Sequence, residues 1–489
     1  MNPESEQPFI VRNGALWKRD GPFLTGQGML PAQTALILPC RIVECPGHQW
    51  IVMDPATPAS GLSRSLGLAE VTLSGIGIIL GAGIYALIGT AAAGAGNAVW
   101  LSFAISAVVA LFTAFSYAEL SSMFPKAGAE YEYTVAAVGE FVAFVVGWLI
   151  IFSGIVGAAA VALGFAGYLG GLIAAPIILA AAVLIIILSA ILIIGIRESA
   201  LVAGIFTLIE GAGLVLVIIA GLPYLGRVDY LEMPLGITGV FTSAALVFFA
   251  YMGFEEMVKF SEETTEPERT VPKALMIALA VCTVLYILVC ISAVSVVGWE
   301  GLATSEAPFA EVAVAAWGPG AAGVLSIIAL FATANTVLLM LLASSRISYG
   351  MARSGTLPRM LSRVHVTRRT PWVAIIAVGL GTFLFLFSGD IGFVANVSNF
   401  TLFVTFIVVN AAVIILRFHD PGRTRPFRVP GRIGLLPVLP LFGIVSCLFL
   451  FIQLTPEVVG VGAVLTIIGG IAALFAGRRI RPGDQGGPG

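Results

Sequence analysis

Charged residues are scarce in this sequence. Aspartate, glutamate, lysine and arginine make up only 11% of its 489 residues, whereas hydrophobic residues make up 58%. A soluble protein needs more charge than this to cover its surface. The sequence also lacks a basic run and a stripe of basic and aromatic residues, so we expect no nucleic-acid partner.

Residues that carry enzymatic or metal chemistry are equally few. The sequence has five cysteines and three histidines and no H-E-x-x-H motif. Cys40 and Cys45 lie near the N-terminus without a second pair, which argues against a zinc site. We therefore expect no metal, no cofactor and no enzymatic activity.

The sequence has instead a succession of apolar stretches of about 18 residues or more, each long enough to cross a bilayer as a helix. The short alternating segments of a membrane β-barrel are not visible. We predict an all-α membrane protein with 12 transmembrane helices. The predicted spans are residues 70–92, 97–120, 134–160, 172–195, 198–221, 237–260, 272–297, 321–348, 372–388, 391–417, 433–452 and 457–477.

The lysines and arginines orient these spans, because positively charged loops stay in the cytoplasm. With a cytoplasmic N-terminus, 24 of the 25 lie on the cytoplasmic side, and only Arg227 lies outside. This predicts a multi-pass protein of the cell (plasma or inner) membrane with both termini cytoplasmic. The polar residues 1–65 are expected to form a disordered cytoplasmic tail, with Met53 as an alternative natural start.

Four glycines crowd the middle of the first predicted span, at Gly75, Gly77, Gly81 and Gly83. Small residues at four-residue spacing allow helices to pack closely. Glycine also tolerates non-helical backbone, so the helix can instead unwind around Gly81–Gly83. Irregular backbone at membrane depth is tolerated where it is buried in protein or lines a cavity. Both interpretations are open at this point.

The sixth predicted span favours a break. It contains a single glycine, Gly253, followed by Glu255 and Glu256 in an otherwise apolar segment. Interrupted spans at corresponding positions of two halves indicate a transporter site between inverted repeats. A broken helix exposes backbone carbonyls where its first half ends and backbone amides where its second half begins. Carbonyls suit an ammonium and amides a carboxylate, so the pair predicts a zwitterion such as an α-amino acid.

These residues resemble the amino acid–polyamine–organocation (APC) superfamily of permeases over most of residues 66–420. The resemblance implies a five-plus-five inverted-repeat (LeuT-like) fold with discontinuous helices 1 and 6. The first repeat would be residues 66–221 (helices 1–5) and the second residues 222–420 (helices 6–10). Helices 11 and 12 would occupy residues 421–478, followed by a cytoplasmic tail at 479–489. The resemblance rests on four segments, Gly75–Gly89, Pro125–Tyr133, Phe248–Leu275 and Ser345–Trp372.

The resemblance also implies roles for individual residues. Ala82 and Gly83 would hold the substrate carboxylate, and the carbonyls of Ile79, Phe249 and Ala250 would hold the amino group. Phe249 matches an aromatic gate. The other expected lining residues are Gly81, Tyr251, Gly253 and Met340.

Glu210 and Glu255 are candidates for coupling transport to an ion. Ionisable residues deep in spans usually face a cavity or a partner. Glu210 could carry a proton or make a buried hydrogen bond. Glu255 could also carry a proton, or it could bond exposed backbone amides. Proton-coupled members of the superfamily often have a lysine near position 210, and the glutamate of this sequence departs from that pattern. Asn335 and Thr336 in span 8 could face a sodium site or be ordinary backbone-bonded polar groups.

The expected function is secondary active transport of amino acids by alternating access, by proton-coupled symport or by exchange (antiport). The proton is the expected coupling ion, with sodium as the alternative. The other functions left open are a polyamine or organic-cation carrier and a substrate sensor of the same fold. The side-chain preference and the oligomeric state do not follow from the sequence.

Overall fold

The computed structural model describes residues 66–125, 129–194, 200–368 and 370–477, together with four short strands nearer the N-terminus. The chain divides into two units, residues 1–62 and 63–489. The strands of the first unit pair as two antiparallel ladders, β1 (Phe9–Arg12) with β2 (Ala15–Lys18) and β3 (Ile42–Val43) with β4 (Ile51–Val52). The remainder of residues 1–65, and with it the predicted disordered tail and the start at Met53, lies outside the described residues.

The second unit is helical. Its helices are α1 (Leu68–Leu80), α2 (Gly83–Ala95), α3 (Val99–Met123), α4 (Ala129–Val138), α5 (Glu140–Gly170), α6 (Ile177–Ile194), α7 (Ala200–Gly221), α8 (Gly236–Val247), α9 (Pro267–Thr304), α10 (Pro308–Trp317), α11 (Ala322–Arg353), α12 (Trp372–Phe385), α13 (Ile391–His419), α14 (Val438–Phe451) and α15 (Pro456–Gly477).

Short 3₁₀ helices and one hairpin join these elements. The 3₁₀ helices are Gly96–Ala98, Leu222–Tyr224, Phe248–Tyr251, Phe254–Glu262, Pro319–Ala321, Arg359–Ser362 and Leu386–Ser388. The hairpin pairs β5 (Arg432–Ile433) with β6 (Leu436–Pro437) ahead of α14.

By length and composition, nine helical segments within the described ranges could cross a membrane. Shorter apolar helices lie at four further places, Leu68–Leu80, Pro308–Trp317, Trp372–Ser388 and Val438–Phe451. Large apolar side chains on α6 face outward, among them Leu179 and Ile186, as expected of a surface in contact with lipid. The chain is thus a largely helical, multi-pass membrane protein, while the count of twelve spans and the inverted repeat stay predictions.

Long helices enclose the two interrupted segments. α5 packs against α11 and α13, and α3 packs against α9. Of the interrupted segments, α1 lies against α7 and α9, and α2 lies against α8 and α9. The breaks are therefore held in the protein interior, where irregular backbone at membrane depth is tolerated.

The glycines of the first span serve both of the purposes that the sequence left open. A Cβ atom at Gly77 would lie 1.9 Å from Thr207 Oγ1, and one at Gly75 would lie 2.2 Å from Met257 Cε. Neighbouring elements therefore pack closely on α1 at both positions, and a larger residue at Gly75 would require the Met257 side chain to move. Gly81, in contrast, lies between α1 and α2, where the helix is interrupted.

Candidate functional site

The first break joins α1 to α2. α1 ends at Leu80 and α2 begins at Gly83, with Gly81 in a non-helical conformation (φ −28°, ψ −174°). The amide of Ala82 donates to Thr336 Oγ1 at 2.9 Å, and that hydroxyl donates to the Ala332 carbonyl at 3.0 Å. Thr336 therefore accepts a hydrogen bond from a backbone amide that the break has freed.

The second break follows α8. A 3₁₀ turn at Phe248–Tyr251 leads to Met252 and Gly253, and Gly253 adopts φ +110°, a conformation that favours glycine. A Cβ atom there would also lie 2.6 Å from Ile78 Cγ2. Glu255 Oε2 accepts a hydrogen bond from the Gly253 amide at 2.9 Å. This contact agrees with the structural role that the sequence left open for Glu255.

The two breaks lie against each other. A Cβ atom at Gly83 would lie 2.5 Å from Ala250 Cα, so the start of α2 touches the backbone of the second break. The Tyr286 hydroxyl, on α9, lies 2.5 Å from the Ile79 carbonyl oxygen and 3.0 Å from the Ala250 carbonyl oxygen, and its single hydrogen can be shared between the two. One buried hydroxyl thus bridges two of the carbonyls that the sequence assigns to the substrate amino group.

Apolar side chains surround this junction. Phe249 is only 3% exposed. A Cβ atom at Gly157 of α5 would lie 3.2 Å from Met340 Sδ and 3.4 Å from Phe249 Cε2. Tyr251 faces α3 and α9, because its hydroxyl donates to the Phe103 carbonyl at 3.0 Å. Phe249 and Met340 therefore lie together, whereas the Tyr251 hydroxyl is already bonded.

Glu210 of α7 lies next to the first break. Asn335 Nδ2 donates to Glu210 Oε1 at 3.2 Å, and the Tyr85 hydroxyl donates to the Glu210 carbonyl at 2.7 Å. Within the described part of the chain, the buried Glu210 Oε2 has no hydrogen-bond partner. Two consecutive residues of α11 thus link these features: Asn335 contacts the Glu210 carboxyl group, and Thr336 contacts the first break.

The remaining carboxylate of the second break points elsewhere. Glu256 pairs with Lys259 one turn further along the 3₁₀ helix. Glu255 is 6% exposed and bonds the break itself. The two neighbouring carboxylates therefore have different surroundings. Among the described residues, no group of three or more histidine, cysteine, aspartate or glutamate side chains could hold a metal ion.

Comparison with known proteins places this arrangement in a family. The sequence model of the amino acid permease family matches residues 66–473. The chain belongs to the amino acid permease family, within the APC superfamily. This confirms the resemblance drawn from the broken first span and the motif of the sixth.

Individual relatives cover most of this permease. A branched-chain amino acid permease of Bacillus subtilis is 34% identical over 428 residues, which is 82% of this chain and 91% of the relative. A methylthioribose transporter of the same organism is 33% identical over 449 residues, covering 86% and 95%. A vacuolar cationic amino acid transporter of Arabidopsis thaliana is 32% identical over 387 residues, covering 74% and 61%. Two of these relatives are named for amino acids and one for methylthioribose.

Sequence reasoning missed two residues that bond the freed backbone groups of the permease. Tyr286 is one, and Asn399 of α13 is the other. Asn399 Nδ2 donates to the carbonyls of Ala245 and Leu246, at 2.7 and 3.0 Å, where α8 ends. The available signal was a polar side chain in an apolar span, which marks a buried partner but does not identify it.

We expect Gly83→Ala to reduce substrate uptake strongly. The added methyl group would meet the Ala250 backbone at 2.5 Å, and overpacking of this kind costs about 1–3 kcal/mol. If the cost falls on the binding arrangement, uptake falls by on the order of tenfold. The matched control is Gly350→Ala in α11, where an added Cβ atom meets nothing within 4 Å. Uptake by Gly83→Ala equal to that of the control, at equal expression, would contradict a binding role for this junction.

Glu255 offers a second test, because glutamine can keep its hydrogen bond and alanine cannot. Glu255→Ala leaves the buried Gly253 amide unpaired, which we expect to lower the free energy of unfolding by about 1–3 kcal/mol. Glu255→Gln still offers an oxygen acceptor and is expected to retain both thermal stability in detergent and uptake. A glutamine variant that is stable but inactive would show that transport needs the carboxylate itself, against a purely structural role.

Proposed function

We propose that this permease is a secondary active transporter that moves α-amino acids with uncharged side chains across the cytoplasmic membrane by alternating access. The observation that carries the proposal is the contact between the two breaks, which brings freed amides and freed carbonyls together. The first break supplies the Ile79 carbonyl and the Ala82 amide, and the second break adds the Ala250 carbonyl. A zwitterionic α-amino and α-carboxylate group matches both.

Side chains of the protein occupy both polarities of the junction. The Tyr286 hydroxyl shares one hydrogen between the Ile79 and Ala250 carbonyls, whereas a substrate ammonium could donate to each of them. The Thr336 hydroxyl accepts from the Ala82 amide, as a substrate carboxylate would. These contacts support the proposal that the carbonyls can accept hydrogen bonds from a substrate between the breaks and that the amides can donate hydrogen bonds to it. Binding then exchanges hydrogen bonds with hydroxyls for stronger bonds with charged groups.

The surroundings favour an apolar substrate side chain. Phe249 and Met340 are the closest described side chains to Gly157 on the facing surface of α5. Glu255 already accepts the Gly253 amide. Methionine adapts to apolar shapes, which suits an apolar substrate side chain. One relative of similar length is named for branched-chain amino acids, which agrees with this preference.

Proton coupling is proposed to use Glu210. Its hydrogen-bond partner is the neutral amide of Asn335, and its other carboxyl oxygen is buried without a partner in the described structure. A charged carboxylate in such surroundings is costly, so binding and release of a proton would change the local energy substantially. Asn335 is followed by Thr336, which bonds the first break, so this change can act on the substrate site.

A ligand screen tests the substrate class. The purified protein would be mixed with each of twenty amino acids and with the amines that result from their decarboxylation, and its thermal unfolding measured. We expect leucine, isoleucine or valine to raise the unfolding temperature and their amines to have no effect, since an amine cannot bond the Ala82 and Gly83 amides. Equal stabilisation by amines would support an organic-cation carrier instead.

Counterflow in proteoliposomes separates transport from sensing. Vesicles loaded with unlabelled substrate should accumulate labelled substrate, because a transporter exchanges the two across the membrane. Binding in the thermal assay without counterflow would indicate a sensor. Exchange of methylthioribose in place of amino acids would contradict the proposed substrate, and the relative of that name makes it the necessary comparison.

Glu210→Gln tests the coupling. The amide side chain keeps a hydrogen-bond acceptor for Asn335 but cannot exchange a proton with water, so we expect substrate-driven proton uptake into proteoliposomes to fall to background. Counterflow, which needs no net proton movement, should persist. The control is Glu311→Gln, an exposed carboxylate on α10. Intact substrate-driven proton uptake by Glu210→Gln would exclude Glu210 as the coupling group.

A further inference from the structure

A cluster of guanidinium groups lies at the end of α13, away from the breaks. Five arginines fall between positions 417 and 432, against one aspartate in the same stretch. Four of them, Arg417, Arg425, Arg428 and Arg432, line one small recess together with Pro421, Gly434 and Leu435. No acidic residue is among these lining residues, so the recess is strongly positive.

One buried carboxylate balances only part of this charge. Arg417 Nε donates to Glu119 Oε1 at 3.0 Å, and Arg417 Nη2 also bonds Glu119 Oε2. The Val429 amide donates to the same Oε2 at 2.8 Å. Arg425 Nε lies 3.4 Å from Glu119 Oε1, too far for a good hydrogen bond. Two guanidinium groups thus share one carboxylate, and all three side chains are at most 3% exposed.

Arg425 shows the excess of positive charge. Burial lowers the pKa of Arg425, and the charges of Arg417 and Arg428 lower it further against the opposing effect of Glu119. Its Nη2 donates to the backbone carbonyls of Leu416 and Asp420, at 3.0 and 2.8 Å, rather than to an anion. Exposed Arg428 and Arg432 add their charges on the open side of the recess.

The recess lies where a membrane helix ends. Arg417 is in the last turn of α13, and Glu119 is in the last turns of α3, two helices within segments able to cross a bilayer. Apolar side chains stand exposed beside it: Phe418 is 53% exposed and Ile433, in the β5–β6 hairpin, is 75% exposed. Exposed apolar groups next to cationic groups are typical of surfaces that insert at the lipid headgroup level.

We propose that the mouth of this recess, where Arg428 and Arg432 are exposed, binds the phosphodiester headgroup of an anionic phospholipid, because the recess itself, with a volume of about 10 Å³, is too small to enclose one. A guanidinium group can donate two parallel hydrogen bonds to two oxygens of one phosphate group. Arg428 and Arg432 can approach a headgroup from the open side. Arg425 would supply the buried positive charge behind it. The exposed Phe418 and Ile433 side chains would lie at the acyl boundary, which free phosphate could not use. The predicted cytoplasmic orientation of this face agrees, because the arginine-rich loops of membrane proteins lie there.

A bound headgroup would act on the packing of two helices. It would add negative charge beside the Glu119–Arg417 contact, which joins α3 to α13. We therefore expect anionic lipid to stabilise the folded protein beyond its general effect on membrane proteins. The proposal does not depend on the identity of the transported substrate.

The test uses the full chain and the variant pair Arg428→Gln and Arg432→Gln in one protein. Both residues are exposed, so the fold should persist. The matched control replaces Arg359 and Arg363 with glutamine, which removes the same charge from another exposed site on the same predicted face. Phosphatidylglycerol adducts would be counted by native mass spectrometry, and thermal unfolding would be compared in phosphatidylglycerol and phosphatidylcholine nanodiscs.

We expect the wild-type and control proteins to retain a phosphatidylglycerol adduct and to unfold at a higher temperature in phosphatidylglycerol. The Arg428/Arg432 variant should bind that lipid on the order of tenfold more weakly and lose the temperature difference. Equal losses in the control would indicate general surface attraction and overturn the proposal. If inorganic phosphate stabilises the protein in phosphatidylcholine nanodiscs as much as phosphatidylglycerol nanodiscs do, the recess binds free phosphate. That result would also overturn the proposal.

Discussion

This structure depends on hydrogen-bond partners for the backbone groups that the two helix breaks leave unpaired. A helix interrupted at membrane depth leaves amides and carbonyls that water cannot satisfy, and each unpaired group is costly. Four long-range or local partners meet this requirement: Thr336 bonds the Ala82 amide, Glu255 the Gly253 amide, Tyr286 two carbonyls at the breaks, and Asn399 two carbonyls at the end of α8. These partners lie on α9, α11, α13 and the second broken segment. The breaks therefore need the surrounding helices in order to exist at all.

The first break could be located from the sequence only by pairing its glycines with the single glycine and two carboxylates of the sixth span, because glycine alone also fits close helix packing. Gly81 and Gly253 lie at the interruptions, and the carboxylates after Gly253 stand out in an apolar span. The partners were harder to predict. Tyr286 contacts Ile79 across 207 positions of sequence, and a lone tyrosine in an apolar helix does not show which carbonyl it faces. A single sequence carries local backbone preferences well, but it does not carry the rotation of one helix against another.

The two buried glutamates show how one residue type can serve different purposes. Glu255 lies two residues beyond the amide that it bonds, so its position is fixed by the local chain. Glu210 has a neutral partner on another helix and a second oxygen without one. A backbone amide and an Asn side-chain amide are both neutral N–H donors, and each favours the charged form of the carboxylate that it bonds. Glu210 is singled out in the coupling proposal by its second oxygen, which is buried without a hydrogen-bond partner in the described structure, and by its contact with Asn335, the neighbour of Thr336.

The Tyr286 bridge also constrains how transport can proceed. One hydroxyl with a single hydrogen lies within hydrogen-bonding distance of carbonyls of both breaks, so separation of the two segments would leave one of these carbonyls without this donor. A substrate ammonium, which has three donors, could bond both carbonyls and leave the hydroxyl free to follow either segment. Movement of one broken segment relative to the other would then cost less with substrate present than without it. Such a difference would suit the exchange mode of transport, in which the loaded form changes conformation more readily than the empty form.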